Sequence, residues 1–247
     1  MSDASTFQAD FSSFGFKGRT AVVTGAARGI GRSIGEALAR AGATVHVFDW
    51  DISGLEGTPL TAHKVDVADH EAVAEAVAKI GKPVTLLVNN AGITRDKSLL
   101  KMKPDDWQRV ININLTGAFN LISCVAPGMI EAGGGRIVNI ASINGIRGKF
   151  GQANYAAAKA GLIGLSKTAA RELGPKGVTV NVVAPGMVLT EMTLALDAQF
   201  REKALTEAVL KTLPDPNDIA NAVMFFLSDA ARHVTGEILK VDSGQYI

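Results

Sequence analysis

A chain of 247 residues, 47% of them apolar, is long enough to bury a large core and sits near the upper end of what one domain supports. Its 25 basic and 24 acidic residues nearly cancel, so no global field is available to hold a nucleic acid or an anionic membrane, and a small molecule that is not a polyanion fits best. One cysteine, Cys124, excludes an internal disulfide and reads as a small buried hydrophobe, and the absence of a basic-then-apolar leader or a long apolar run leads to the expectation of a soluble, cytoplasmic protein.

The chain opens on Phe7, Phe11, Phe14 and Phe16 set among serines, which reads as an N-terminal extension over residues 1–17, a tail or surface strap, ahead of one domain over 18–247. From there short β-branched runs predict strands at 20–24, 44–49, 62–64, 85–89, 135–140, 179–183 and 238–241. They alternate with alanine-rich segments of helical period. That alternation predicts an α/β fold, a doubly wound parallel sheet of about seven strands with helices on both faces, and double burial explains why AVVTG, TLLVNN and RIVNI are apolar runs.

The first strand runs straight into Thr24-Gly25-Ala26-Ala27-Arg28-Gly29-Ile30-Gly31, and the helix that begins there continues to Ala41. Three glycines at a strand-to-helix turn let the backbone bend and approach a pyrophosphate, whose charge meets free amides and the positive helix end. Asp49 closes the second strand, where a carboxylate accepts from both ribose hydroxyls and repels a 2′-phosphate, which favours NAD over NADP. Arg28 argues the other way, since its guanidinium can pair with that phosphate. After Asp49 the link contains Gly54, Gly57 and Pro59 and has room for one helical turn or a loop. Farther on, residues 187–213 read as a leucine- and methionine-rich helical flap over a substrate pocket, ended by Pro214 and Pro216.

Tyr155 and Lys159 stand four positions apart among strong helix formers, hence on one helical face. A phenol of ordinary pKa near about 10 is a poor proton relay at neutral pH, and an adjacent ammonium favours the phenolate. Ser142, just past the strand RIVNI, has a hydroxyl able to hold a substrate oxygen opposite the phenol.

With TGAARGIG at 24–31, NNAG at 89–92, Asn114 in INLTG, Ser142, YAAAK at 155–159 and Pro185-Gly186, the sequence resembles the short-chain dehydrogenase/reductase family from Gly18 onward. The resemblance implies a homotetramer and a catalytic set of Asn114, Ser142, Tyr155 and Lys159. Tyr155 would be the proton-transferring group and Ser142 the oxygen holder. Lys159 would bind the nicotinamide ribose and tune Tyr155, and Asn114 would fix a water leading to solvent. It further implies Gly25, Arg28, Gly29, Ile30, Gly31, Asp49, Asp66, Val67, Asn90, Ala91, Gly92, Pro185, Gly186, Val188 and Thr190 as cofactor contacts. Asn90 has a structural alternative, tying neighbouring loops together. Asn144, Phe150 and Met187, with Ser142 and Tyr155, would line the substrate site.

Within the family the stretch from Arg136 to Lys167 is most similar to 3-oxoacyl thioester reductases of the acyl-carrier-protein and acetoacetyl-CoA types. Those biosynthetic reductases commonly take NADPH, and the basic pair that docks the carrier corresponds here to Gly133 and Lys176, so one member is missing. The expectation is an NAD(H)-dependent dehydrogenase of a 3-hydroxyacyl thioester or related secondary alcohol. An NADPH-linked 3-oxoacyl reductase, a dehydrogenase of a cyclic diol or aryl alcohol, and a non-catalytic dinucleotide sensor remain as alternatives. The short link after Asp49 motivates the diol reading.

Overall fold

The computed structural model describes residues 14–195 and 197–247. Its strands are β1 (Thr20–Thr24), β2 (Thr44–Asp49), β3 (Thr61–Lys64), β4 (Leu86–Asn89), β5 (Gly135–Ile140), β6 (Val178–Pro185) and β7 (Ile238–Val241), paired in the order β3-β2-β1-β4-β5-β6-β7. Every pairing is parallel, with Ala21 opposite both Val45 and Leu86 in the centre. The expected doubly wound sheet is therefore present. β3 starts one residue before its expected position and β4 one after, while β6 extends at both ends because Pro185, at the last position, still pairs with Val241.

The helices are α1 (Gly29–Arg40), α2 (His70–Ile80), α3 (Pro104–Ile111), α4 (Gly117–Glu131), α5 (Ile143–Arg147), α6 (Ala153–Leu173), α7 (Glu191–Leu194), α8 (Ala198–Glu207) and α9 (Pro216–Leu227). On one face of the sheet Ile34 and Leu38 of α1 and Ile219, Val223 and Met224 of α9 bury with Ala21, Val23, Leu86 and Val88. On the other, Val73 of α2, Leu121, Val125 and Met129 of α4 and Ala169 of α6 bury with Val22, Leu87 and Ile137. Alternate residues of each strand thus feed opposite cores, as a sheet covered on both faces requires. The link after β2 is the single 3-10 turn Ser53–Leu55, as its glycines and proline predict.

Two expectations change, at the N-terminal aromatic segment and at Cys124. Phe16 is fully buried in the core beside Phe14, so the aromatic start reaches into the domain; Phe7 and Phe11 lie outside the described residues. Cys124 is half-buried, its sulfur 3.7 Å from His70 Nε2, and burial pushes its thiol pKa up. The helical run Pro104–Glu131 is long and apolar enough to cross a membrane by length and composition, yet Leu121, Val125 and Met129 within it are core residues.

Chain direction decides where a ligand goes. β1 lies between β2 and β4, so the connections after β1 and β4 diverge to opposite faces and open a crevice at the strands' C-terminal ends. The glycine-rich turn follows β1 and NNAG follows β4.

Candidate active site

The glycine-rich turn is built to bring backbone close to something else. Gly25 and Gly29 have φ of +63° and +58°, where a side chain is strained. A Cβ at Gly25 would stand 2.7 Å from Ala91 Cα, and one at Gly31 would overlap the Gly25 carbonyl oxygen and come within 2.5 Å of Asn90 Nδ2. The loops after β1 and β4 are stitched together: Thr24 Oγ1 accepts from the Asn90 and Ala91 amides at 3.0 and 2.9 Å, and Asn90 Nδ2 donates to the Thr24 and Gly25 carbonyls at 2.9 and 2.8 Å. Asn90 thus has the loop-tying role as a structural fact. Arg28 precedes α1 in extended conformation without capping it, and no acidic residue occupies the first turn. The opening amides of α1 are therefore left for an external anion, so the residues fit a dinucleotide pyrophosphate.

Asp49 at the tip of β2 is aimed by the main chain, its Oδ2 accepting from the Ala27 amide at 3.0 Å and its Oδ1 from the Asp51 amide at 3.2 Å. A second carboxylate follows at once. The Ser53 hydroxyl and amide hold the Asp51 carboxyl below its usual range, helped by the charges of Arg28 and Lys64. Asp66 Oδ1 accepts from the Ala68 amide at 2.9 Å, shaping the turn after β3, and Val67 is buried against Gly117 with its carbonyl held by Asn120 Nδ2 at 3.0 Å. Val67 lines the same cleft as Ala91 and Asn114.

Between α3 and α4 the helix widens into one π-helical turn, Asn112–Thr116, and Asn114 sits inside it, 1% exposed. Such bulges recur at functional sites because the extra residue redirects a side chain. Asn114 Oδ1 accepts from the Ile93 amide at 2.8 Å and Nδ2 donates to the Ile93 carbonyl at 3.0 Å, locking the segment after Gly92.

Ser142 caps α5, its Oγ accepting from the Asn144 amide at 3.1 Å, and its hydroxyl favours the ionised form of the Tyr155 phenol. A Cβ at Gly145 would lie 2.7 Å from Lys159 Cβ, so only glycine lets α5 press onto α6 and bring Ser142 to Tyr155. Lys159 is 3% exposed and donates to the Ile140 carbonyl at 2.7 Å, with Nζ 5.6 Å from the Tyr155 ring centroid. Beneath them a buried chain runs from Asn89 Nδ2 to Asn139 Oδ1 at 2.8 Å and from Asn139 Nδ2 to Ser166 Oγ at 2.8 Å, crosslinking β4, β5 and α6.

Electrostatics differ from the simple expectation that lysine lowers the phenol pKa. Burial pushes Tyr155 up to about 12 against the Ser142 hydrogen bond, with Asp96 raising it further. Burial likewise lowers Lys159 to about 8. The ammonium lies over the ring face and donates to the Ile140 carbonyl, and desolvation dominates both groups. The lowered lysine pKa opposes folding fully below pH 8 and progressively less as pH rises from about 8 toward the ordinary 10.5, while Tyr155 opposes folding only above about pH 10. Lys159→Met is accordingly expected to stabilise the protein by about 1–3 kcal/mol at pH 7 while impairing turnover. Urea unfolding at pH 7 and pH 10 checks this, and a variant no more stable at pH 7 contradicts it.

On the other wall, Gly186 leaves no room for a side chain against Gln245 and Asp242, and Met187 donates its amide to Gln245 Oε1 at 3.1 Å. Val188 is buried, and Thr190 caps α7 in a reciprocal pair with Thr193; its methyl would lie 3.8 Å from a Cβ at Gly29, which brings the flap base to the glycine turn. Phe150, expected to line the substrate site, is 91% exposed in the loop before α6. Asn144 instead joins a network that residue spacing alone did not reveal: its Nδ2 donates to Gln152 Oε1 at 3.1 Å, and Gln152 Nε2 donates to Asp96 Oδ2 at 2.8 Å. Gln152, three positions before Tyr155, was the available signal.

A crevice with a glycine cradle at one end and a half-buried phenol beside a buried hydroxyl and ammonium at the other is suited to moving a proton beside a dinucleotide. The chain belongs to the short-chain dehydrogenase/reductase family, whose members are oxidoreductases using a nicotinamide dinucleotide. Residues 25–245 match the family profile described as enoyl-(acyl carrier protein) reductase. Among individual relatives, the FabG 3-oxoacyl-[acyl-carrier-protein] reductase of Escherichia coli is 45% identical, covering 94% of this chain and 99% of its own length. That of Vibrio harveyi is 43% identical over 94% of this chain and 98% of its own. A crystal structure described as a "putative gluconate dehydrogenase" from Agrobacterium tumefaciens superposes with a TM-score of 0.90 at 35% identity, covering 94% and 97% of the two chains.

Proposed function

We propose that this enzyme interconverts a 3-hydroxyacyl and a 3-oxoacyl thioester with NAD(H), with Tyr155, Lys159, Ser142 and Asn114 as the catalytic set. The observation that carries the reading is Tyr155 lying under Lys159, with Nζ 5.6 Å from its ring centroid, and the Ser142 hydroxyl acting on the same phenol to favour its ionised form. The thioester rests on the similarity to reductases named for 3-oxoacyl substrates. Gly133, uncharged where the resemblance to 3-oxoacyl thioester reductases implies one of two basic docking positions, favours a CoA thioester over a carrier protein.

Gly25, Gly29, Ile30, Gly31 and the start of α1 would hold the pyrophosphate, Asp49 the adenosine ribose, Asp66, Val67, Asn90, Ala91 and Gly92 the adenosine side, and Pro185, Gly186, Val188 and Thr190 the nicotinamide end. When bound, the dinucleotide donates or accepts the hydride. In reduction Ser142 holds the carbonyl oxygen and Tyr155 gives it the phenolic proton; in oxidation Tyr155 removes the hydroxyl proton. Lys159 compensates the phenolate that results, a service worth more in a dry site than in water. Asn114 fixes the loop on which this geometry rests, and Met187 with Asn144 borders the substrate.

NAD preference rests on Asp49, whose carboxylate is held by the Ala27 and Asp51 amides at the tip of β2. Measured with acetoacetyl-CoA, kcat/KM is expected to favour NADH over NADPH by at least about tenfold, roughly 1.4 kcal/mol. A ratio favouring NADPH overturns the assignment of Asp49. We further read the assembly as a homotetramer, because Trp107 and Phe119 on one side and Phe225 and Leu239 on another are large apolar side chains left exposed; sedimentation tests it.

A further inference from the structure

Arg147, the last residue of α5, holds several parts of the molecule at once. Its Nη1 donates to Glu207 Oε2 at 3.1 Å and to the Gln245 carbonyl at 3.4 Å, and its Nε donates to Asn144 Oδ1 at 3.3 Å. Glu207 ends α8, the main helix of the flap, whereas Asn144 gives its amide to Ser142 Oγ. One guanidinium therefore joins the flap, the turn after β7 and the helix that Ser142 starts.

The two stems of the flap are pinned without it. Met187 donates to Gln245 Oε1 and Leu210 donates to the Ser243 carbonyl at 3.1 Å, while Arg201 Nη1 donates to the Thr193 and Leu194 carbonyls and couples α7 to α8. What Arg147 adds is a releasable hold on the helical unit between the stems. Side-chain exposures of 24% and 33% leave the Arg147–Glu207 pair within reach of salt and water. Such a pair does little for global stability, but it weighs heavily in a segment that opens locally.

We propose that Arg147 is a positioning residue that latches the flap over the substrate site, so that its ion pair with Glu207 sets how long substrate stays enclosed. This rests on reading Ser142 as the oxygen holder and the flap as the substrate cover. The test combines hydrogen exchange of residues 191–207 with steady-state kinetics on acetoacetyl-CoA, for Arg147→Met, Glu207→Gln, their combination and Arg147→Lys. Each single loss is expected to speed flap exchange and raise KM about five- to tenfold with kcat within about twofold, and the double variant should be no worse than either single. Arg147→Lys should recover part of the effect, and raising ionic strength should raise KM for the wild type but not for Arg147→Met. Unchanged flap exchange, or losses that multiply in the double variant, would overturn the latch. Should the wild type fail to turn over acetoacetyl-CoA, the thioester reading falls, while flap exchange still decides the latch.

Discussion

Tyr155→Phe is expected to lower kcat by about three to four orders of magnitude while changing dinucleotide affinity by less than about threefold. The substitution removes one oxygen and leaves the ring under Lys159, so packing of α6 and the Lys159 bond to Ile140 persist. The phenol that is lost is the one Ser142 addresses, and with its pKa near 12 it enters reduction already protonated. Proton donation is therefore abolished with little else disturbed. Stopped-flow hydride transfer together with fluorescence titration of bound NADH measures both quantities. A near-normal rate would falsify the proton-transfer role.

Gly31→Ala is expected to weaken dinucleotide binding about a hundredfold and to lower stability further than Gly29→Ala, which costs about 1–2 kcal/mol of stability. The contrast is geometric. At Gly29 an added Cβ meets only the Thr190 methyl at 3.8 Å, so the penalty is that of a left-handed backbone at φ +58°. At Gly31 it drives into the Gly25 carbonyl and the Asn90 amide, both fixed by the stitching of the two loops, so the cradle itself must move. Binding isotherms and melting curves measure the two costs, and a Gly31→Ala protein that is as stable as Gly29→Ala and keeps its dinucleotide affinity would contradict the clash at Gly31.

The sheet was legible in the sequence because parallel strands buried on both faces must be written as β-branched runs, and the ladder starts β3 at Thr61 and β4 at Leu86 within a residue of those runs. The glycine turn and the Tyr155–Lys159 pair were legible because they are local. The π-helical turn at Asn112–Thr116 was not, since an inserted residue leaves helical periodicity nearly intact over so short a span. Nor was the web of Asp96, Gln152, Asn144, Arg147, Glu207 and Gln245, whose partners lie up to 98 positions apart and obey no spacing rule. The raised pKa of Tyr155 is hidden from the sequence for a related reason: helical spacing fixes that Lys159 is near, but burial, a property of the whole fold, determines which influence dominates.

The packing of α1 against α9 carries a consequence for how the chain comes off the ribosome. The apolar side of α1, made early, has its cover in a helix that begins at Pro216, and β1 cannot pair with β4 until Leu86 has been made. Most of the sequence must therefore emerge before that face closes. Nascent chains halted before α9 present Ile34, Leu38 and their neighbours to water, and these are the species on which a holdase chaperone would be found and from which aggregates would start.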